Sequence, residues 1–423
     1  MQEIIKIPVS EVKFVKELYP RLKENETAIE QYKDAIEKLP PIIIARDGVL
    51  IDGYHRWTAH KRLNIDEISA INLGNLTDIE ILKESLVRNS YHGYQLSAQD
   101  KKNNANRLYV LLSGNTDEKY EEISNLLSIS KETTRKYCQE SRQNEKKKQQ
   151  ERALDLWLNC WTQEKIAEEL NIPQQTISGW ITENEKNSKI GKAPGATPDK
   201  PWGNIQHFDL WNFNAAHNDT SYFGKMPSQI VENLLWLYTE PGQIVFDPFA
   251  GSGTTIDTAK EMGRRVWSSD RKPASNILPI HNHDITSGYP ENAPGKVDFI
   301  LLDPPYWKQA EGKYSNDAED LGNMELGEFY KSWSKILNGC IDHLSGNGHL
   351  AFIVSPNEDK DNDKVIDLAF EMYAIAVQAG FTPMRRIIVS YNTQQATGQQ
   401  VEWARKKKKL LKLYRDLIVF QKK

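Results

Sequence analysis

The sequence is poor in cysteine. Its three cysteines, Cys138, Cys160 and Cys340, stand far apart, with no CxxC pair in the chain of 423 residues. Isolated cysteines with no CxxC pair argue against a zinc site or a disulfide framework, so no metal site is expected and a reducing cytoplasm is. Long apolar runs are missing too. None approaches the roughly 20 residues of a membrane span, and no secretory signal opens the chain, so no membrane partner is expected. Net charge is small: a balance of −4 does not advertise a polyanion binder, although an average conceals local excess. Residues 385–423 hold eleven Lys and Arg against two acids, Glu402 and Asp416, which reads as a basic C-terminal tail. The remaining composition, 39% hydrophobic and 26% charged, suits globular domains. The length predicts roughly two or three of them.

The segment NSKIGKAPGATPDKPWG (187–203) is rich in Gly, Pro and small polar residues, as a linker is. Mainly helical sequence precedes it. After it, the apolar runs QIVFDPF, RRVWSSD, VDFILLD, HLAFIVS and MRRIIVS alternate with helical stretches. That alternation predicts an α/β fold with a parallel sheet covered on both faces.

Motifs sit at the ends of these runs. DPFAGSGTT (247–255) follows QIVF and opens a helix, and Gly251 and Gly253 permit a tight turn and close approach to a ligand. Asp270 ends the next strand, where a carboxylate accepts hydrogen bonds from ribose hydroxyls. LLDPPYW (301–307) leaves the third strand through a carboxylate, two prolines and an aromatic ring. In this order the motifs resemble those of amino-methylating DNA methyltransferases, which methylate exocyclic nitrogens with S-adenosylmethionine. The resemblance covers about residues 202–423 and implies a Rossmann-like, S-adenosylmethionine-dependent domain. It implies a cofactor held by Lys225, Pro227, Asp247, Pro248, Phe249, Gly251, Gly253, Thr254, Asp270 and Asp284. It also implies catalysis by Asp303, Pro304, Pro305 and Tyr306.

The chemistry suits that turn. An exocyclic amine is a poor nucleophile because its lone pair is delocalised into the ring. Acceptors on its N–H bonds favour the pyramidal nitrogen of the transition state, and the Asp303 carboxylate and Pro304 carbonyl serve that task. The prolines stiffen the backbone and remove competing donors, and Tyr306 is placed to stack on a base flipped out of the duplex. The Pro-Cys pair of cytosine-C5 enzymes is absent. By the resemblance, Asp at the first motif position favours adenine N6, whereas Trp307 leans towards cytosine N4; adenine is the expectation and cytosine the alternative. The short stretch between Thr255 and Asp303 leaves no room for a substantial target-recognition domain. Recognition is therefore expected from residues 308–326, from the N-terminal half, or from 393–409, where Arg405, Lys406 and Lys407 are candidate phosphate contacts.

The stretch PIIIARDGVLIDGYHRWTAHKRLNIDEISA (41–70) resembles the N-terminal domain of the ParB and sulfiredoxin superfamily, over residues 1–95. ESLVRN (84–89) resembles that family's ENxxR box, with Ser85 for Asn. Gly53, His55 and Arg56 at a helix start, together with Arg88, offer donors and cations to a phosphate. CTP or another nucleotide is thus a candidate ligand; the alternative is a fold kept as a DNA-binding or dimerising platform. Tyr54 stands where sulfiredoxins carry their catalytic Cys, which argues against sulfinic-acid reduction.

Two helix-turn-helix patterns follow. In residues 162–181, Ile166, Ala167 and Leu170 form an apolar face, and Gln174, Gln175, Thr176 and Ser178 begin an exposed recognition helix. In residues 120–138, Thr133, Thr134 and Arg135 take that place. The expected organisation is a ParB-like domain at 1–95, a helical region at 96–190, a linker at 191–201 and a methyltransferase domain at 202–423. Double-stranded DNA is the expected partner, in the cytoplasm of a prokaryote or from a phage; a homodimer and a restriction endonuclease partner stay open. A competing reading is a ParB-like DNA-binding regulator with a degenerate methyltransferase domain, against which the intact glycine loop and DPPY count.

Overall fold

The computed structural model describes residues 3–21, 25–91, 96–187, 192–213, 226–273, 279–308, 317–359, 364–390 and 397–423. The chain divides into two compact units, Met1–Gln149 and Gln150–Lys423. The second helix-turn-helix therefore belongs with the large sheet, whereas the sequence-based limits put it in a separate helical region ahead of a linker. The physical reason is a set of contacts made by residues 155–161, given with the site below.

In the first unit, β1 (Ile4–Pro8), β2 (Ile42–Ile44), β3 (Leu50–Asp52) and β4 (Glu67–Asn72) form a sheet in the order β1-β4-β2-β3. The β-branched run of β2 is buried throughout. Helices α1 (Glu26–Asp34), α2 (Tyr54–Arg62) and α3 (Asp78–Tyr91) accompany the sheet. Gly53 starts α2 at φ +103°, where a Cβ would come within 2.7 Å of the Ile42 side chain. Only glycine fits there. Helices α4 (Ala98–Leu111), α5 (Thr116–Leu127) and α6 (Lys131–Tyr137) share a core of Leu108, Tyr109, Tyr120, Ile123 and Cys138, and α7 (Gln139–Leu158) follows.

In the second unit, α8 (Gln163–Leu170) and α9 (Gln174–Asn187) pack through Ile166, Ile177, Trp180 and Ile181. The large sheet comprises β5 (Leu210–Trp211), β6 (Ile244–Asp247), β7 (Arg265–Asp270), β8 (Ile280–Asn282), β9 (Val297–Leu302) and β10 (Leu344–Val354), with β13 (Phe381–Ser390) and β14 (Tyr414–Lys422). A separate pair is formed by β11 (Asn357–Asp359) and β12 (Lys364–Ile366). The eight strands run in the order β5-β13-β14-β10-β9-β6-β7-β8. Strand alternation sends Ile300, Leu302, Leu350 and Phe352 to one face, and Phe299, Leu301, Ala351 and Ile353 to the other. Helix α12 (Leu326–His343) covers the first face with Phe329, Trp333, Ile336, Leu337 and Cys340 at helical spacing, beside α13 (Leu368–Gln378). Helices α10 (Ser228–Tyr238) and α11 (Thr254–Glu261) cover the second.

The expected doubly covered α/β sheet is present, with one departure. Strand β14 runs antiparallel between β10 and β13, and its residues from Leu417 to Phe420 are buried. The basic C-terminal stretch is therefore no tail, because its apolar residues complete the sheet. Within that stretch, α14 (Gly398–Lys407) exposes Arg405, Lys406 and Lys407. From the adjacent parallel strands β6 and β9 the order proceeds outwards in opposite directions, which opens a crevice at their C-terminal ends. Among the described residues, no helix is long and apolar enough to cross a membrane.

Candidate active site

Asp247 ends β6 and starts a turn by accepting the Phe249 N–H on Oδ1 at 2.9 Å. The loop then closes on itself. The Gly253 N–H donates to the Ala250 carbonyl at 2.8 Å, and Gly253, at φ +84°, caps α11. Asp270 at the end of β7 buttresses the loop: its Oδ2 accepts the Gly251 N–H at 2.9 Å and its Oδ1 the Lys272 N–H at 2.8 Å. This carboxylate shapes the cradle as well as facing into it. Asp284 accepts from the Thr286 N–H and hydroxyl at 2.9 and 2.7 Å and pairs with Arg271 at 3.3 Å.

On the neighbouring strand, β9 delivers Asp303, whose Oδ1 accepts the Tyr306 hydroxyl at 3.3 Å. The tyrosine thus sits on the carboxylate in this conformation. Trp307 is held from two sides. Its indole N–H donates to the Met324 carbonyl at 2.8 Å, and its own carbonyl accepts from Asn357 Nδ2 at 2.6 Å. These bonds fix the end of the turn.

The pieces enclose a cavity of about 320 Å³, within the range of small-molecule sites. Asp247, Pro248, Phe249, Gly251, Thr254, Asp270, Asp284, Asp303 and Pro305 line it. Pro227, Gly253, Pro304 and Tyr306 are not part of the lining, although Met226 beside Pro227 is. Lys225 lies outside the described residues. The sequence reading missed Arg271, Ile285 and residues 319–321, which also line the cavity. Arg271 adjoins a motif aspartate and could have been suspected, whereas Leu321 carried no signal.

Several carboxylates crowd this space. Burial, reinforced by the charges of Asp303 and Asp270, pushes Asp247 up to about 7, against the pull of its Thr255 and Phe249 hydrogen bonds. Burial also raises Asp303 to about 6, opposed by the Arg415 guanidinium and the Tyr306 hydroxyl. Arg415 is itself buried in β14, a position that no local motif marks. Acceptors for ribose hydroxyls, negative charge and the apolar Phe249 and Ile285 together suit a cationic nucleoside.

In the first unit, Gly53, His55, Arg56 and Arg88 line one cavity, as expected of a shared site. Arg56, however, is engaged. Its Nη1 donates to the Pro40 and Pro41 carbonyls at 2.9 and 2.7 Å, and its Nη2 to Asp52 at 2.6 Å. Arg88 donates to Glu84 at 3.1 Å, and His55 Nε2 accepts the Asn25 N–H at 3.1 Å. Each of these side chains thus has a protein partner, and a phosphate entering the cavity would replace these contacts.

The helix-turn-helix units need a correction. Thr134 is fully buried, its hydroxyl donating to the Ser130 carbonyl at 3.1 Å, so it packs in the helical core and cannot touch DNA. Thr133 is half-buried and Arg135 exposed. On α9, Gln174 and Gln175 are exposed, and Thr176 and Ser178 half-buried. Gln174 donates to Glu164 of α8 at 2.6 Å. The segment leading into α8 is fastened to the sheet. Arg265, at the start of β7, lies 3.7 Å from the Trp157 ring centroid and donates to the Trp157 and Trp161 carbonyls at 3.2 and 3.4 Å. Lys260 pairs with Asp155 at 2.9 Å.

Among known proteins, a family model described as DNA methylase matches residues 12–275, a stretch that includes the glycine loop and Asp270 and ends before Asp303. The type II methyltransferase M.BglII of Bacillus subtilis is 31% identical over 105 residues, which are 24% of this chain and 27% of that relative. The chain thus spans 27% of that curated relative's length. TrmN from Thermus thermophilus aligns at 20% identity and a TM-score of 0.30, over 48% of this chain and 50% of that one. A pNOB8-like ParB N-domain aligns at 17% identity and a TM-score of 0.27, over 33% of this chain and 64% of that one.

Proposed function

We propose that this chain, which belongs to the DNA methylase family, transfers a methyl group from S-adenosylmethionine to N6 of adenine in duplex DNA. The observation that carries this reading is the meeting of the glycine loop, Asp270 and Asp303 in one cavity at the switch point of the sheet. The donor set fits the cofactor: Asp270 and Asp284 suit its hydroxyl and amine groups, and Phe249 and Ile285 its base. When bound, S-adenosylmethionine supplies an electrophilic methyl group on sulfur. The chain contributes positioning and charge. Asp303 accepts one N–H of the target amine and the Pro304 carbonyl the other, which localises the nitrogen lone pair. Tyr306 leaves Asp303 and turns to stack on the flipped base. With its raised affinity for protons, Asp303 is also suited to take the one that the methylated nitrogen sheds.

Adenine is preferred because Asp occupies the first motif position. Cytosine N4 is the alternative, favoured by the PPYW sequence; Trp307 itself is not among the lining residues. A nucleotide has no part in this reading, given the engagement of Arg56. The test is to incubate the chain with duplex DNA and cofactor, then analyse the nucleosides by mass spectrometry. N6-methyladenine is expected. Asp303→Ala should slow transfer by about 10²–10³-fold or more, with cofactor affinity nearly unchanged. N4-methylcytosine would move the target base, and near-normal turnover by Asp303→Ala would sink the mechanism. No methylated base from the unaltered chain would sink the function.

A further inference from the structure

Two helix-turn-helix units are present, and their surfaces differ in the property that governs DNA affinity. Contacts from Lys and Arg to phosphates supply most of the binding free energy of sequence-independent association. The residues lining the groove beside the first unit include four Lys and Arg against one acid, Glu132, although residues 116–149 as a whole are nearly balanced, with eight Lys and Arg against seven acids. Residues 162–187 carry two Lys against five Glu. The first surface attracts a polyanion and the second repels it.

The geometry points to a groove formed by α5, α6 and the first half of α7 as the surface that holds duplex DNA by its phosphates; the recognition helix α9 is not the DNA-holding element. This rests on the reading of DNA as substrate and deepens it by naming the element. Arg135, Lys136, Arg142 and Lys146 line the groove with Tyr120, two glutamines and one acid, Glu132. Arg135, Lys136, Arg142 and Lys146 are all exposed. Arg142 and Lys146 stand one helical turn apart on α7, about 6 Å along its axis, and with Gln139 and Gln143 they form a single polar face. Hydrogen bonds from the Cys138 N–H to Thr134 and from the Arg142 N–H to Cys138, each 2.9 Å, carry α6 into α7 with little break, so the cations run as one stripe.

The acids nearby form surface pairs. Glu132 lies 3.2 Å from Lys136, and Asp117 lies 3.7 Å from Arg135, with all four side chains more than half exposed. Such pairs contribute little, so phosphates displace them at small cost. At α9 the arrangement is opposite: Glu164 sits on Gln174 at the head of the helix, where a phosphate would otherwise approach. The burial of Thr134 also removes a base-reading candidate from the first unit. Its contribution is therefore dominated by phosphates and is sensitive to salt.

The experiment titrates the full chain, the Arg142→Gln/Lys146→Gln variant and a Gln175→Ala/Lys186→Gln variant with a fluorescent 40-base-pair duplex across a range of salt concentrations. The α7 variant should bind roughly 10- to 100-fold more weakly at low salt, with the slope of log affinity against log salt reduced by about two. The α9 variant should change affinity by less than about threefold. Unchanged affinity in the α7 variant, or a larger loss in the α9 variant, would overturn the assignment. So would a clear preference of the unaltered chain for duplex RNA of the same length. Binding is read without methyl transfer, so a chain that binds as described but methylates nothing sinks only the enzymatic reading.

Discussion

At the residue scale, the proposed mechanism has Asp303 work as an ionised acceptor, and its surroundings bear on when it is ionised. Burial holds it near 6, so the rate of methyl transfer should fall as pH drops through about 6 and level off above it. A pH–rate profile that stays flat down to pH 5 would contradict this role. Asp247 behaves similarly, near 7. Both carboxyls bind protons more tightly folded than unfolded, where carboxylates titrate at about 4. Their contribution to stability is thus fully present below about pH 4 and is lost as pH rises towards 7. A cationic cofactor relieves that penalty at Asp247, so its affinity should rise over the same window with release of protons. Calorimetry at pH 6 in two buffers of different ionisation enthalpy checks this; proton uptake on binding would refute it.

At the scale of elements, Arg265 joins the end of α7 to the sheet through a cation–π stack and two carbonyl hydrogen bonds. Arg265→Ala should destabilise the second unit by roughly 2–3 kcal/mol, the sum of a partly desolvated cation–π contact and charge-assisted bonds. It should also speed proteolytic cleavage near residues 159–163, while methylation continues because Asp270 sits at the far end of β7. Thermal unfolding and limited proteolysis measure both effects, and an unchanged melting temperature with unchanged cleavage would show that the contact anchors nothing. The sequence hid this joint. Trp157 reads as one more apolar residue of a helix, and its partner lies in a strand far along the chain.

At the scale of the whole molecule, the division after Gln149 makes a different cut from the linker composition. A chain beginning at residue 150 should fold, bind cofactor and transfer methyl groups, with weakened DNA affinity from loss of the basic groove. One beginning at residue 191 should be less stable, since it lacks Trp157 and Trp161, the partners of Arg265, and Asp155, the partner of Lys260. Melting curves and cofactor titrations of the two chains decide the matter. Equal stability of both would return the boundary to the linker.

By itself the sequence determined the elements and the motifs. The apolar runs that became β6, β7, β9, β10 and β13 announce buried strands through local composition, and the glycine loop and DPPY turn are local chemistry as well. It also placed Asp247, Asp270, Asp284 and Asp303, which share one cavity. Only the tertiary structure decided the rest. It set β14 between β10 and β13, where burial of Leu417 to Phe420 outweighs the basic flanks. It sealed Thr134 in a helical core, engaged Arg56 with Asp52 and two carbonyls, and brought Arg415 near enough to pull against the burial of Asp303. Each of these outcomes depends on which face of an element is covered and by what. That depends on packing between segments remote in sequence, on which the local pattern is silent.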